Sequence, residues 1–147
     1  MSQATIADAL ESEIKHLIEK WTAAVRDDPR IESDENLSGP ELIDHVPAIV
    51  EEICRLIRED KTPDVRNSNE ARANVYTRVH QGYKGRDLIR ELSLLRITLL
   101  DYMIAFSDES PDVDANERHN AATIVNLYLD EEMRYAISVY SNRPDAQ

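Results

Sequence analysis

The sequence predicts an all-α protein, an antiparallel bundle of five helices, or six if Pro47 divides the second. Three observations carry this. Apolar residues recur at spacings of three and four through long stretches, and β-branched residues never alternate with polar ones over a strand's length. The 147 residues also contain only three glycines and one phenylalanine. That length suits a single domain, with its core at about 5–140, able to bury about two-thirds of its unfolded surface.

The first helix is predicted from about Thr5 to Asp27. Ile6, Leu10, Ile14, Leu17, Trp21 and Val25 fall on one stripe, and Pro29 disfavours helix in the residue before it. A polar connection covers 30–37. Ser38 opens the second helix, with Pro40 in the first turn and Glu41 at the capping-box spacing. That helix carries Leu42 to Ile57 and ends near Asp60. Pro47 inside it removes one backbone bond, so a kink or a split near His45 is expected.

A third helix, about Asn69 to Gln81, has Ala71, Ala73, Val75, Tyr76 and Val79 as its candidate core, with Gly82 as its left-handed terminator. The fourth, about Arg86 to Ser107, is apolar around most of its circumference: Leu88, Leu92, Leu95 and Leu99 form one stripe and Ile89, Ile97, Leu100 and Ile104 flank it. Ser110-Pro111 reads as the cap of a last helix, about Val113 to Tyr140. A polar tail, Ser141 to Gln147, follows.

Composition excludes several functions. With 17 basic against 29 acidic residues the net charge is −12, which repels nucleic acid and anionic membranes alike. No apolar run approaches the roughly 20 residues that span a bilayer, and no targeting segment opens the chain, so a cytoplasmic location is expected. Cys54, the single cysteine, sits on an apolar helical face and reads as a small core residue. His16, His45, His80 and His119 fall on different helices or at their edges and match no metal-ligand spacing. A haem held by His80 in a globin-like arrangement is the strongest form of a cofactor reading, but aromatic residues make up only 5% of the chain. No nucleophile motif or phosphate loop occurs, and the acidic pairs Glu51-Glu52 and Glu131-Glu132 read as solvated. No enzyme, cofactor or metal is expected.

Charge inside the apolar helices is the more informative feature. Arg78, one turn before Gly82, can reach Glu91 across the Gly82–Gly85 turn, and Arg96 lies between Leu95 and Ile97. These residues are expected to form an inter-helix latch that sets geometry rather than supplying stability. Apolar surface also exceeds what five rods can hide in one subunit. A homodimer is therefore expected, its face formed by Leu92, Leu95 and Leu99 with Ile124, Tyr128 and Ile137. A rival reading, a small-molecule sensor, would line a cavity with Trp21, Tyr83 and Tyr102.

The order and spacing of these elements resemble the N-terminal domain of the RsbRD type, found ahead of stressosome regulators and some sensor histidine kinases. The pattern is an apolar helix with a Trp, L-x-x-x-x-P, H-x-x-x-R-x-x-x-G-Y, E-x-x-x-L-R, and a last helix with L-D and a later Tyr. The matches are Trp21; Leu42 and Pro47; Arg78, Gly82 and Tyr83; Glu91, Leu95 and Arg96; and Leu129, Asp130 and Tyr140. The histidine of the pattern falls on Asn74, and His80 lies outside that slot, so no imidazole role carries over. The resemblance implies an all-α, non-catalytic input domain of a bacterial stress-response or two-component pathway. It implies a dimer coupled to a C-terminal output module or a signalling partner. Seven residues follow Tyr140, so an excised domain or a free-standing relative is expected.

Overall fold

The computed structural model describes residues 4–142; most of the predicted polar tail, from 143 onward, lies outside the described residues. The described residues form helices α1 (Ala4–Ser12), α2 (Ile14–Asp27), α3 (Gly39–Ile43), α4 (Val46–Glu59), α5 (Asn69–His80), α6 (Gly85–Glu109) and α7 (Ala115–Ser141). Short 3-10 turns occupy Ser33–Asn36 and Val65–Asn67, and no strand occurs among the described residues.

Local chemistry explains most boundaries. Ser38 accepts from the Glu41 backbone while the Glu41 carboxylate accepts from the Ser38 backbone N–H at 2.8 Å, which completes a capping box. The predicted second helix is split into α3 and α4, with Pro47 in the first turn of α4, where its missing N–H costs nothing. Gly82 adopts φ 77°, and Tyr83 N–H donates to the Arg78 carbonyl at 2.9 Å while Gly82 N–H donates to Val79. That pair of bonds is the Schellman ending of α5.

Three boundaries differ from expectation. The predicted first helix breaks at Glu13, because the Ser12 hydroxyl donates to the Ala9 carbonyl and competes with the backbone ladder. Residues 33–36, expected as plain connection, form a turn that buries Asp34. The cap of α7 is Asp114, whose carboxylate accepts from Glu117 N–H at 2.8 Å, rather than Ser110. Tyr76, expected in the core, is exposed and packs edge-on against Tyr135 at 6.2 Å between ring centroids.

The long helices α6 and α7 run side by side in opposite directions. Arg96 reaches Asp130, and at one end the Gly85 backbone lies against the Tyr140 ring, so closely that a β-carbon there would stand 3.2 Å from it. Helices α1, α2, α4 and α5 pack around this hairpin, and the buried apolar side chains form one contiguous cluster.

This packing corrects the expected dimer face. Leu92, Leu95, Leu99, Ile124 and Tyr128 are each 5% exposed or less, covered by helices of the same chain. Their stripe was legible, but a stripe says only that it is buried, and here the other helices cover it. Of the expected face only Ile137 remains exposed, at 57%.

Candidate functional site

Arg78, on α5, and Glu91, on α6, meet in the interior. The guanidinium Nη2 lies 2.7 Å from Glu91 Oε1, and Nε donates to the same oxygen at 2.9 Å. Both side chains are 1% exposed. The remaining donors of Arg78 reach the Leu42 carbonyl at 2.6 Å, the Gln81 side chain at 2.7 Å and the Glu41 carbonyl at 3.3 Å. One side chain on α5 therefore ties together α6 and the start of the second helical segment. An arginine does this better than a lysine, because its planar fork presents several donors at once.

The surroundings hold this pair in register. The guanidinium stacks over the Tyr83 ring at 4.7 Å from the centroid. Trp21 Nε1 donates to the Glu91 carbonyl at 3.1 Å, so α2 is fastened to the turn of α6 that carries the carboxylate. Tyr140, near the end of α7, donates its hydroxyl to the Tyr83 carbonyl at 2.9 Å. Burial pushes the Glu91 carboxyl above its ordinary range, while Arg78 and the Tyr83 hydroxyl pull it back. The Tyr83 hydroxyl is itself raised, by burial first and then by the Glu91 charge.

A second polar set adjoins this one. Asn74, four residues before Arg78, donates its amide to Glu132 Oε2 at 2.9 Å. Glu132 is fully buried, which corrects its reading as a solvated acid. Periodicity held the clue: Glu132 lies one turn from both Tyr128 and Ala136, on their buried face. Its neighbour Glu131 is half-buried and lines a surface cleft of about 420 Å³ with Arg66 and Arg134. Glu52 Oε1 accepts from the Tyr128 hydroxyl and from Ser68 Oγ, both at 2.6 Å. Besides Asp34, two further buried acids were missed from the sequence. Asp87 accepts from the backbone of Ser33 and Glu32, and Glu117 accepts from Ile6 N–H at 3.1 Å in the first turn of α1.

The other expected site residues separate. Arg96 takes no part in the latch; Nη1 donates to Asp130 at 2.8 Å, on a partly exposed rim between α6 and α7. Trp21 and Tyr83 both belong to the Arg78–Glu91 surroundings, whereas Tyr102 lies 11 residues beyond Glu91, about 16 Å along the helix. Tyr102 instead stacks on Phe106 and donates to the Ala9 carbonyl. The three therefore share no cavity, because α6 itself carries them apart. A second cleft, of about 240 Å³, lies between Gly85–Ile89 and Ala136–Ser141 and is lined by neither Trp21 nor Tyr102.

Cys54 is buried, and desolvation pushes its thiol up to about 12, which leaves it protonated and inert at neutral pH. His16, His80 and His119 are exposed, and His45 Nε2 lies 3.0 Å from Thr77 Oγ1. Among the described residues no three His, Cys, Asp or Glu side chains converge as metal ligands. No described helix is long and apolar enough to cross a membrane.

No curated protein and no solved structure matches the chain. A family model does, over residues 15–143: that of the RsbT co-antagonist protein rsbRD N-terminal domain. The match takes in α2 through α7 and every residue of the Arg78–Glu91 centre, and the chain belongs to this family of regulatory domains.

Proposed function

We propose that this domain is a non-catalytic input module of a bacterial stress-response assembly, in which a signal shifts the packing of the α6–α7 hairpin. The observation that carries the reading is the buried Arg78–Glu91 pair. A fully desolvated ion pair is a poor source of stability, since apolar residues of similar volume often do as well or better. Its use is geometric: it permits one relation of α5, α6 and the 41–42 turn and penalises others. The Tyr140–Tyr83 bond then joins that centre to the end of the last helix, the position from which an output module or a signalling partner would be moved. The family's name, an RsbT co-antagonist, supports a partner within a stress-signalling complex.

Two copies associate, in this reading, through the outer side of the hairpin rather than the buried stripe. Ile97 and Ile104 of α6 are 47% and 62% exposed, and Ile137 of α7 is exposed as well. Half-buried Ile89, Leu100 and Met133 flank them. Ile97 and Ile104, seven residues apart on one side of α6, with Leu100 between them, support an interface there.

Sedimentation equilibrium of the domain at tens of micromolar tests this. The wild type is expected to be a dimer that tightens as salt screens the net charge of −12. Glu at positions 97, 104 and 137 together is expected to give a monomer with unchanged helix content. A strictly monomeric wild type, or a triple variant that still dimerises, contradicts the interface.

A further inference from the structure

Around Arg78 two fully buried acids, Glu91 and Glu132, share one cation. Arg78 is committed to Glu91, with two of its nitrogens on one carboxylate oxygen and the rest on carbonyls and Gln81. Glu132, on α7, is 0% exposed and receives one hydrogen bond, from the neutral amide of Asn74; its Oε1 has no partner.

The groups around it give no compensation. From α6 it faces Glu91, from α4 it faces Glu52, and from α5 Arg78, already paired, offers only distant attraction. From its own helix Tyr128 turns its hydroxyl to Glu52, and Ser68, at the end of the 65–67 turn, does the same. Glu52 keeps a partly exposed side chain, accepts from those two hydroxyls and lies 3.9 Å from Arg55, so it has the partners that Glu132 lacks. An ionised Glu132 would then be a buried charge beside two others of the same sign, with a single neutral donor. Such a group neutralises itself instead.

We propose that Glu132 is a carboxylic acid in the folded domain at neutral pH and that losing its proton loosens the seam between α5 and α7, making the seam a pH-sensitive element. The inference stands whether or not two copies associate, since Glu132 faces only helices of its own chain. Desolvation is the first cause of the shift and the Glu91 and Glu52 charges add to it; the Asn74 bond opposes them, and the carboxyl comes to about 8. The unfolded chain releases the same proton near 4.5. Between those values the folded form holds one proton more than the unfolded form, so stability falls as pH rises through the window. Above about 8 both forms are ionised and the loss is complete.

The decisive comparison is the pH dependence of urea unfolding for the wild type and E132Q, which keeps an acceptor for Asn74. Relative to E132Q, the wild-type folding constant is expected to fall by up to about tenfold per pH unit between roughly pH 5 and 8, and to run parallel outside that window. Parallel curves throughout would overturn the proposal. Should E132Q fail to fold, the carboxyl carbon resonance of Glu132 in the wild type decides alone. A midpoint near 8 supports a carried proton, and one below about 6 overturns it.

Discussion

Arg78→Met is expected to cost the domain about 3–5 kcal/mol, a large share of the roughly 5–15 kcal/mol by which a domain is ordinarily stable. Methionine fills much of the same volume, so the loss is not a cavity. It arises because Glu91, in a site that is 1% exposed, must either stay charged with no cation beside it or take up a proton, and either state is less favourable than the pair. The buried Leu42 carbonyl loses its Arg78 donor at the same time, and the Glu41 carbonyl is left with Gln81 alone. Urea denaturation followed by circular dichroism measures this directly. A shift below about 1 kcal/mol would mean that water reaches Glu91 freely, as it reaches an exposed ion pair.

Leu95→Ala has the second largest expected effect, a loss of about 2–5 kcal/mol from the lost transfer energy and the cavity left behind. Leu95 is 1% exposed within one chain and lies a turn from Glu91, also buried, so the surrounding helices cannot easily collapse on the vacancy. The loss is expected to be independent of protein concentration, because no second molecule covers this residue. Had the stripe of Leu92, Leu95 and Leu99 been a dimer face, the gap in melting temperature between variant and wild type would shrink on dilution, because the two monomers would be nearly equal in stability. Thermal scans over a hundredfold dilution separate the two.

These two residues mark where the amino-acid pattern is legible and where it stops. The spacing of Leu92, Leu95 and Leu99 shows a buried stripe, yet periodicity carries no information about which element, or which copy, lies over it. Local punctuation is easier, because its physics involves few residues: the Ser38 capping box, the break before Pro47 and the left-handed Gly82 follow from side chains within one turn. Arg78 and Glu91 were readable as a pair for a related reason, since only the short Gly82–Gly85 turn separates their helices. Arg96 was not, because its partner Asp130 is 34 residues away on a helix whose register against α6 the sequence does not state. Glu132 was hidden by its neighbour. Read as a pair, Glu131-Glu132 looks like a wet face, whereas read at intervals of four, Glu132 falls among Tyr128 and Ala136 in the core.

Asn74 makes a related point. Where the resembling pattern places a histidine, this chain has an amide that donates to Glu132 and takes up no proton. Among the described residues Arg78 is the one buried permanent cation, and the arrangement around it depends on how that cation is shared.

The account rests on Arg78 and Glu91 acting as a unit, and a double-mutant cycle measures that directly. Arg78→Met, Glu91→Leu and the two together are compared with the wild type by urea unfolding. The double variant, with no charge left to bury, is expected to be more stable than either single variant, with a coupling of about 2–3 kcal/mol. Additive losses, with coupling near zero, would show that the two side chains occupy the same interior without holding each other, and the latch would be contradicted.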